Sequence, residues 1–571
     1  MKDFMEKYKS WLESKYFDEE TKEELRGIEG NKEEIEDRFY TDLKFGTGGL
    51  RGKIGAGTNR MNKYTVSKAT QGLANYILSK GEDYAKRGVV IAHDSRHKSK
   101  EFTKTAALVL NANGIKTYVF DDLRPTPELS FTVRHLNAAA GIVITASHNP
   151  PEYNGYKVYW EDGGQIVPKR ANEVIEKIDE INDYSQVKTI DEKEAKDKEL
   201  FNVIGKEVDD VYVNKVKELS IRDNVDKDIK IVFTPLHGTG NVPIRRVLDE
   251  LGYKNVYVVK EQEKPDPNFS TVDYPNPEDP AAFELARKIG EEVDADILLG
   301  TDPDCDRVGV VARNKDGKYQ VLNGNQTGAL LLDYILSSLK EKGKLPSNGV
   351  MVKTIVTSDL GKVIAESYGV ETINTLTGFK FIGEKIKEFE EKKNKEFLFG
   401  YEESFGYLTG KFVRDKDGVI SSMLICEMAA YYKSKGLTLY EALQDLYEKY
   451  GYYVENLHSI KLEGVEGKRK IEATMEKFRE SYPSEIAGLK LVRYSDYKVR
   501  KSFDLVKDVT EDIELPKSNV LKFEFEDGSW YALRPSGTEP KLKIYMSANG
   551  KTKEEAEGKI KEMKDEILAE M

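Results

Sequence analysis

An α/β fold of three related mixed α/β domains followed by a C-terminal α+β domain is predicted by three features of this sequence. A unit of strand, helix, closing glycine and second strand occurs three times before about residue 450. Each opening strand is a short apolar run that leads into a polar turn. Beyond residue 450 that order stops, and strands and helices follow one another without it. Strand–helix–strand succession is the signature of βαβ units, with glycine supplying the left-handed residue that ends a helix. At 571 residues the chain is too long for one core, and usual domain sizes suggest about four. The expected boundaries are 1–205, 206–320, 321–450 and 451–571.

The first unit runs from Val89-Val90-Ile91-Ala92 through the turn His93-Asp94-Ser95-Arg96. Its helix reaches about Asn113, closes at Gly114, and leads to Thr117-Tyr118-Val119-Phe120. Lys230-Ile231-Val232-Phe233 opens the second, with a helix over Val242 to Leu251, Gly252, and the strand Val256-Tyr257-Val258-Val259. Val350-Met351-Val352 opens the third, with a helix over Leu360 to Glu366, Gly369, and Thr372-Ile373. Their irregular spacing excludes a solenoid; a single large α/β sheet is the competing arrangement. Phe4, Tyr8, Trp11, Leu12 and Tyr16 have helical spacing, as do Ala556, Ile560, Met563 and Ile567 after a Thr552/Glu555 capping box. In the last domain Leu457 to Leu462 alternates loosely, as a half-buried strand does.

Composition narrows the function. The net charge of −12 lacks the basic footprint that a nucleic-acid binder needs. No apolar run approaches the roughly 20 residues that cross a bilayer, and the opening Met1-Lys2-Asp3-Phe4-Met5-Glu6 has no apolar signal region. Neither nucleic-acid nor membrane partners are therefore expected. Two cysteines, Cys305 and Cys426, exclude a disulfide framework and fit a reducing cytoplasm.

Four loops carry chemistry. Thr145-Ala146-Ser147-His148-Asn149-Pro150 follows the apolar strand Gly141-Ile142-Val143-Ile144, which places a serine on an exposed loop over a rigid scaffold. No Gly-x-Ser-x-Gly elbow surrounds Ser147, so a Ser-His-Asp hydrolase fits less well. Asp302-Pro303-Asp304-Cys305-Asp306-Arg307 follows Ile297-Leu298-Leu299-Gly300. Three carboxylates at alternate positions repel one another, and a hard divalent cation compensates them; all-oxygen ligation selects Mg²⁺ over zinc. The competing reading is a solvated acidic turn, which the strand-end position and Arg307 disfavour. Gly400-Tyr401-Glu402-Glu403-Ser404-Phe405-Gly406 offers acceptors to sugar hydroxyls, though surface glutamates are the commoner reason for such a loop. Arg534-Pro535-Ser536-Gly537-Thr538-Glu539-Pro540-Lys541 combines a guanidinium, hydroxyls, a lysine and a glycine turn, the parts of a phosphate clamp. It is not a Walker A loop. Gly550-Lys551-Thr552 has that ending, but Tyr545 stands where the first glycine belongs.

Taken in order, these loops and the early Gly46-Thr47-Gly48-Gly49-Leu50-Arg51-Gly52 segment resemble the alpha-D-phosphohexomutase superfamily, its phosphoglucomutase branch most closely. The resemblance implies four domains around a central cleft, each contributing one loop. It implies a phosphosugar mutase, an intramolecular phosphotransferase that interconverts glucose 1-phosphate and glucose 6-phosphate. Phosphomannomutase or phosphopentomutase activity is the alternative, with a Mg²⁺-dependent sugar phosphatase behind them. A serine phosphate would pass to the sugar and be regained from the other end of glucose 1,6-bisphosphate, the activator and intermediate. Ser147 matches that serine, and Asp302, Asp304 and Asp306 match the Mg²⁺ ligands, with the phosphoserine oxygen completing the set. Arg51 and Lys157 match basic residues that assist transfer, and Lys416 matches a general acid–base lysine; His148 is the other candidate base. Thr377, Gly378 and Lys380 match a further sugar loop, and Glu402 and Ser404 the sugar-hydroxyl contacts. Arg534, Ser536, Gly537 and Thr538, with Lys541, match the clamp on the non-reacting phosphate, and Arg307 joins the substrate-binding set. The implied partners are small-molecule sugar phosphates.

Overall fold

The computed structural model describes residues 4–46, 48–462, 464–536 and 541–571. These fold as two compact units. One comprises the chain up to Gly324 with Phe379–Gly400 and Ser404–Thr438; the other comprises Asn325–Gly378, Tyr401–Glu403 and Leu439–Met571.

The first unit holds two separate sheets, which overturns the single-sheet alternative. Strands β1 (Gly49–Lys53), β2 (Val89–His93), β3 (Thr117–Phe120), β4 (Ala140–Ile144), β5 (Tyr153–Trp160) and β6 (Phe201–Ile204) form one, in the order β1-β5-β4-β2-β3-β6. Strands β2, β3, β4 and β6 run parallel, while β5 is antiparallel to β4 and to β1. Every residue of β2 and β4 is buried, as continuous apolar runs covered on both faces should be. Strands β7 (Ile231–Thr234), β8 (Val256–Val258), β9 (Ile297–Thr301), β10 (Val308–Arg313) and β11 (Tyr319–Leu322) form the second sheet, in the order β11-β10-β9-β7-β8.

The third copy of the unit appears as the parallel pair β12 (Gly349–Thr354) and β13 (Glu371–Thr375), followed in sequence by β14 (Glu396–Glu402) and β15 (Gly406–Leu408). All three copies close their helix through a left-handed glycine. Gly114, Gly252 and Gly369 have φ of 75°, 92° and 72°, a region that costs other residues energy because of their Cβ. The fourth domain is a largely antiparallel sheet of β16 (Tyr452–Lys461), β17 (Glu485–Ile486), β18 (Leu489–Asp496), β19 (Lys501–Asp504), β20 (Val509–Asp512), β21 (Leu521–Phe525), β22 (Trp530–Pro535) and β23 (Lys541–Gly550). The helices Gly464–Glu480 and Lys553–Ala569 pack Met475, Phe478, Met563 and Ile567 against its Phe523, Tyr531 and Leu533.

Two local expectations need correction. The N-terminal helix is Phe4–Glu13 and ends before Tyr16, which instead stacks on Tyr184. The C-terminal helix has half a capping box: Glu555 N donates to Thr552 Oγ1, but the Glu555 carboxylate accepts from Lys551 N. Among the described residues no helix is long and apolar enough to cross a membrane.

Candidate active site

The serine and acidic loops occupy equivalent places, each at the end of a fully buried strand, β4 and β9. Such ends are where open α/β sheets present loops to ligands. Ser147 Oγ lies 3.0 Å from Asp302 Oδ2 and 2.8 Å from Asp304 Oδ1, although 155 and 157 residues separate the partners in sequence. Ligand atoms from Asp302, Asp304 and Asp306 lie within 4.8 Å of one another, all three buried. Asp306 Oδ1 is buried without a hydrogen-bond partner, and an orphaned carboxylate oxygen in an all-oxygen donor set fits a hard divalent cation.

Electrostatics show how the three carboxylates coexist. Burial, then Asp306 and Asp304, hold the Asp302 carboxyl well above the usual carboxylate range. Burial acts on Asp306 too, but the cations of Lys416, Lys157 and Arg307 outweigh it and hold that carboxyl low; Lys157 and Lys416 do the same for Asp304. Burial thus acts on all three carboxyls, and what separates them is that Lys157 and Lys416 lie against Asp304 and Asp306.

Three basic residues expected from the sequence meet this cluster. Lys157 Nζ donates to Asp304 Oδ2 at 2.7 Å and Asp306 Oδ2 at 3.3 Å. Lys416 Nζ donates to Asp306 Oδ2 at 2.7 Å. Antiparallel pairing of β1 with β5 sets Arg51 opposite Gly155 and Gly49 opposite Lys157, so Arg51 and Lys157 share a face of the sheet. Gly49 is required there: its φ is 148°, and a Cβ would lie 1.8 Å from Tyr156 O. Arg51 Nη1 donates to Asn149 Oδ1 at 3.2 Å, two residues beyond Ser147. His148 is kept neutral by burial first, then by Arg307 and Arg51, and its Nδ1 is buried without a partner. Arg307, placed with the substrate contacts by the sequence, is ion-paired with Glu278.

The segment carrying Lys416 is threaded past the acidic loop. Val308 N donates to Phe405 O at 3.1 Å, and Gly418 N to Cys305 O at 3.1 Å. Gly406 leaves the passage open, since a Cβ there would lie 2.3 Å from Lys416 Cδ. Tyr159, two residues after Lys157 on β5, donates to Asp415 Oδ2 at 2.7 Å. Asp417 caps the helix Gly418–Ser434, accepting from Val419 N and Ile420 N at 2.8 Å each and from the Tyr212 hydroxyl at 2.9 Å. Burial pushes the Asp417 carboxyl up to about 7 against those bonds, and Asp415 adds to the rise. A carboxyl raised in the fold stabilises it fully below the unfolded value near 4, and that stability is lost as pH rises to about 7. Asp417→Asn, which cannot titrate, is therefore expected to gain about 3 kcal/mol relative to the parent between about pH 5 and pH 8. Urea melts at both values check this, and a difference independent of pH would mean that Asp417 is already ionised in the fold.

The second unit contains other expected residues. Glu402 is buried, and its Oε1 accepts from Gly378 N at 2.8 Å; Thr377 Oγ1 is buried without a partner. Arg534 Nη1 donates to the Tyr545 hydroxyl at 3.5 Å. Burial pushes that phenol up to about 12, helped by the nearby carboxylates of Glu403 and Glu402 and opposed by Arg534. The clamp arginine and the sugar-loop glutamates thus lie near one phenol. Ser536 N donates to Lys541 O at 2.7 Å. Gly537 and Thr538 lie outside the described residues, as does Thr47 of the early segment. Lys380 lines a 340 Å³ crevice of the first unit beside Trp160, Arg170 and Lys387, and Ser404 belongs to that unit too.

Thr126 was missed by reading the sequence: its hydroxyl donates to Asp304 Oδ2 at 2.9 Å, and its N–H to Asp304 O at 2.9 Å. Nothing in its surroundings, Pro125-Thr126-Pro127, marks it locally. Asp94 and Arg96 were read as a polar turn, although their position directly after a buried strand was a usable signal.

A serine hydroxyl against a buried carboxylate triad, at the ends of parallel-sheet strands, has the parts that metal-assisted phosphoryl transfer needs. The chain belongs to the phosphoglucomutase/phosphomannomutase family. It matches that family's α/β/α domains I, II and III over residues 42–185, 210–317 and 323–450, and its C-terminal domain over 489–566. It is 42% identical over 515 residues to a phosphoglucomutase of Staphylococcus epidermidis, covering 90% of this chain and 92% of the relative. It is also 42% identical over 514 residues to one of Staphylococcus aureus, covering 90% and 91%. The fold is similar to that of pp63/parafusin, a phosphoglucomutase from Paramecium, with TM-score 0.68 and 18% identity over 93% of this chain and 94% of that one. It is also similar to a phosphoglucomutase/phosphomannomutase family protein of Burkholderia thailandensis, with TM-score 0.65 and 19% identity over 92% and 97%.

Proposed function

We infer that this protein is a phosphoglucomutase, interconverting glucose 1-phosphate and glucose 6-phosphate by passing a phosphoryl group through Ser147. The observation that carries the reading is the approach of Ser147 Oγ to Asp304 and Asp302, at 2.8 and 3.0 Å. The staphylococcal phosphoglucomutases that it resembles over 90% of its length support glucose as the sugar. Two buried free cysteines are consistent with a reducing cytoplasm.

Asp302, Asp304, Asp306 and the Ser147 oxygen would hold Mg²⁺, which when bound supplies positive charge to the phosphoryl oxygens. Ser147 starts phosphorylated. A sugar hydroxyl oxygen bonds to phosphorus as the bond from Ser147 Oγ to phosphorus breaks. The hydroxyl proton is exchanged for one delivered to Ser147 Oγ, through Lys416, which as an ammonium gives its proton to that oxygen and is reprotonated by the sugar, or through His148. Glucose 1,6-bisphosphate results; after it turns, Ser147 Oγ takes the phosphoryl group from its other end, and that sugar oxygen regains a proton. Lys157 and Arg51 offset charge on the moving group. Thr377, Gly378, Lys380, Glu402 and Ser404 orient the sugar, with Arg307 at the edge of the acidic loop. Arg534, Ser536, Gly537, Thr538 and Lys541 grip the phosphate that does not react. On this reading the segments 1–205, 206–320, 321–450 and 451–571 supply one loop each.

The test is a coupled assay of hexose and pentose 1-phosphates with Mg²⁺ and trace glucose 1,6-bisphosphate. Glucose 6-phosphate should form from glucose 1-phosphate with the highest kcat/KM in the panel; stoichiometric release of inorganic phosphate instead would identify a phosphatase. Arg534→Ala is expected to raise KM by about 10–100-fold with a smaller loss of kcat, because a clamp on the non-reacting phosphate acts in ground and transition states alike. An unchanged KM would remove the clamp from that loop.

A further inference from the structure

Ser147 is held in a backbone conformation that it would not choose. Its φ is 55°, in the left-handed region, where the Cβ of a non-glycine residue crowds the backbone. The brace holding it there is the turn after β2. Arg96 Nη2 donates to Ser147 O at 2.5 Å and also to Asn149 O, while Nη1 donates to Pro150 O at 2.8 Å and Tyr153 O at 3.2 Å. One guanidinium thus gathers four carbonyls of the serine loop, a fan of bonds that its fixed planar fork can make and a lysine cannot.

Arg96 is itself held. Its Nε lies 3.2 Å from Asp94 Oδ2, both side chains have no exposed surface, and the Phe269 ring lies 4.9 Å from its guanidinium carbon. Asp94 Oδ2 also accepts from Thr145 Oγ1 at 2.6 Å, and Thr145 Oγ1 accepts from Ser147 N at 2.8 Å. The serine's N–H and C=O therefore both trace back to the Asp94–Arg96 pair, one through a hydroxyl and the other directly.

The other two copies of the unit also bond their first turn to a later loop, through different groups. After β7, Thr239 N donates to Pro303 O at 2.9 Å, under the acidic loop. After β12, Thr357 Oγ1 donates to Glu403 Oε2 at 3.1 Å, and the buried cation Lys353 holds Thr357 O at 3.0 Å and Asp359 at 2.9 Å. Each copy buttresses the loop of a later strand with the turn of its own first strand.

We propose that Arg96, locked by Asp94, is a positioning residue that sets the rate of phosphoryl transfer by holding Ser147 in its left-handed conformation facing the acidic loop, without touching substrate. The proposal rests on the mutase reading, so the parent enzyme is assayed first; a parent that isomerises no sugar monophosphate yet takes phosphate from glucose 1,6-bisphosphate defeats that reading alone. Phosphate gained by Ser147 from glucose 1,6-bisphosphate, followed by intact-mass spectrometry, then still reports on Arg96. With an active parent, Arg96→Lys and Arg96→Ala are expected to lose about 30–100-fold in kcat with KM for glucose 1-phosphate within about 3-fold, and to phosphorylate Ser147 correspondingly slowly. Guanidinium at non-denaturing concentration should restore part of the rate to Arg96→Ala and none to Arg96→Lys. Parental kcat and phosphorylation in either variant would overturn the proposal, as would a rise in KM matching the fall in kcat, or a loss that follows melting temperature and resists guanidinium. Should neither Arg96 variant fold, Thr145→Val breaks the other arm of the brace; loss of kcat at constant KM supports the proposal, and parental kcat sinks it.

Discussion

Ser147→Ala is expected to abolish turnover, by about 10⁴-fold or more, while affinity for glucose 1-phosphate stays within a few-fold. On the proposed mechanism every phosphoryl group passes through this one oxygen, so its loss leaves no slower version of the same path. Thr126 brings a second hydroxyl to the acidic loop, but that hydroxyl is spent on Asp304 Oδ2 and its residue is wholly buried in the first turn of a helix. Binding survives because the clamp and the sugar loop lie elsewhere in the sequence. A coupled assay with calorimetric titration measures both quantities, and intact mass should show that the variant gains no phosphate from glucose 1,6-bisphosphate. Turnover near the parental rate would take Ser147 out of the mechanism.

Lys416→Met is expected to lower kcat by about 10²–10⁴-fold, the usual worth of a positioned acid–base group. His148→Gln should lose less. Lys416 Nζ sits 2.7 Å from Asp306 Oδ2 in a segment pinned on both sides, by Tyr159 to Asp415 and by Tyr212 to Asp417. Burial, then Arg307 and Arg51, hold the His148 imidazole well below its usual range, which weakens it as a base, and its Nδ1 has no partner to orient the ring. A base without such a partner is poorly aimed. The pH dependence of kcat in the two variants distinguishes them: the group that moves the proton takes one limb of the profile with it. A larger loss in His148→Gln would transfer the role to the histidine.

Much of the fold was legible because βαβ units write themselves locally. Burial on both faces demands an unbroken apolar run, as at β2 and β4, and a helix that must turn back needs a left-handed residue, as at Gly114, Gly252 and Gly369. The serine and acidic loops were legible for the same reason, since each follows such a run. Less legible were contacts whose partners lie far apart in the chain. Thr126 reaches Asp304 across 178 residues, and Tyr159 reaches Asp415 across 256. Neither residue type is unusual where it stands. Lys380 shows the converse: placed by resemblance among sugar contacts, it lines a crevice with Trp160 and Arg170 that no local pattern announced.

The sequence by itself determined the domain grammar and set the serine and acidic loops directly after buried strands, because strand burial and helix termination depend on residue type and near neighbours. Tertiary structure alone decided that Ser147 meets Asp302 and Asp304, that Lys157 and Lys416 hold the Asp304 and Asp306 carboxyls low, and that Arg96 braces the serine from behind. Those outcomes depend on distances and shared burial between groups 51 to 157 residues apart, and Coulombic and hydrogen-bond energies are set by such separations in space rather than by position along the chain.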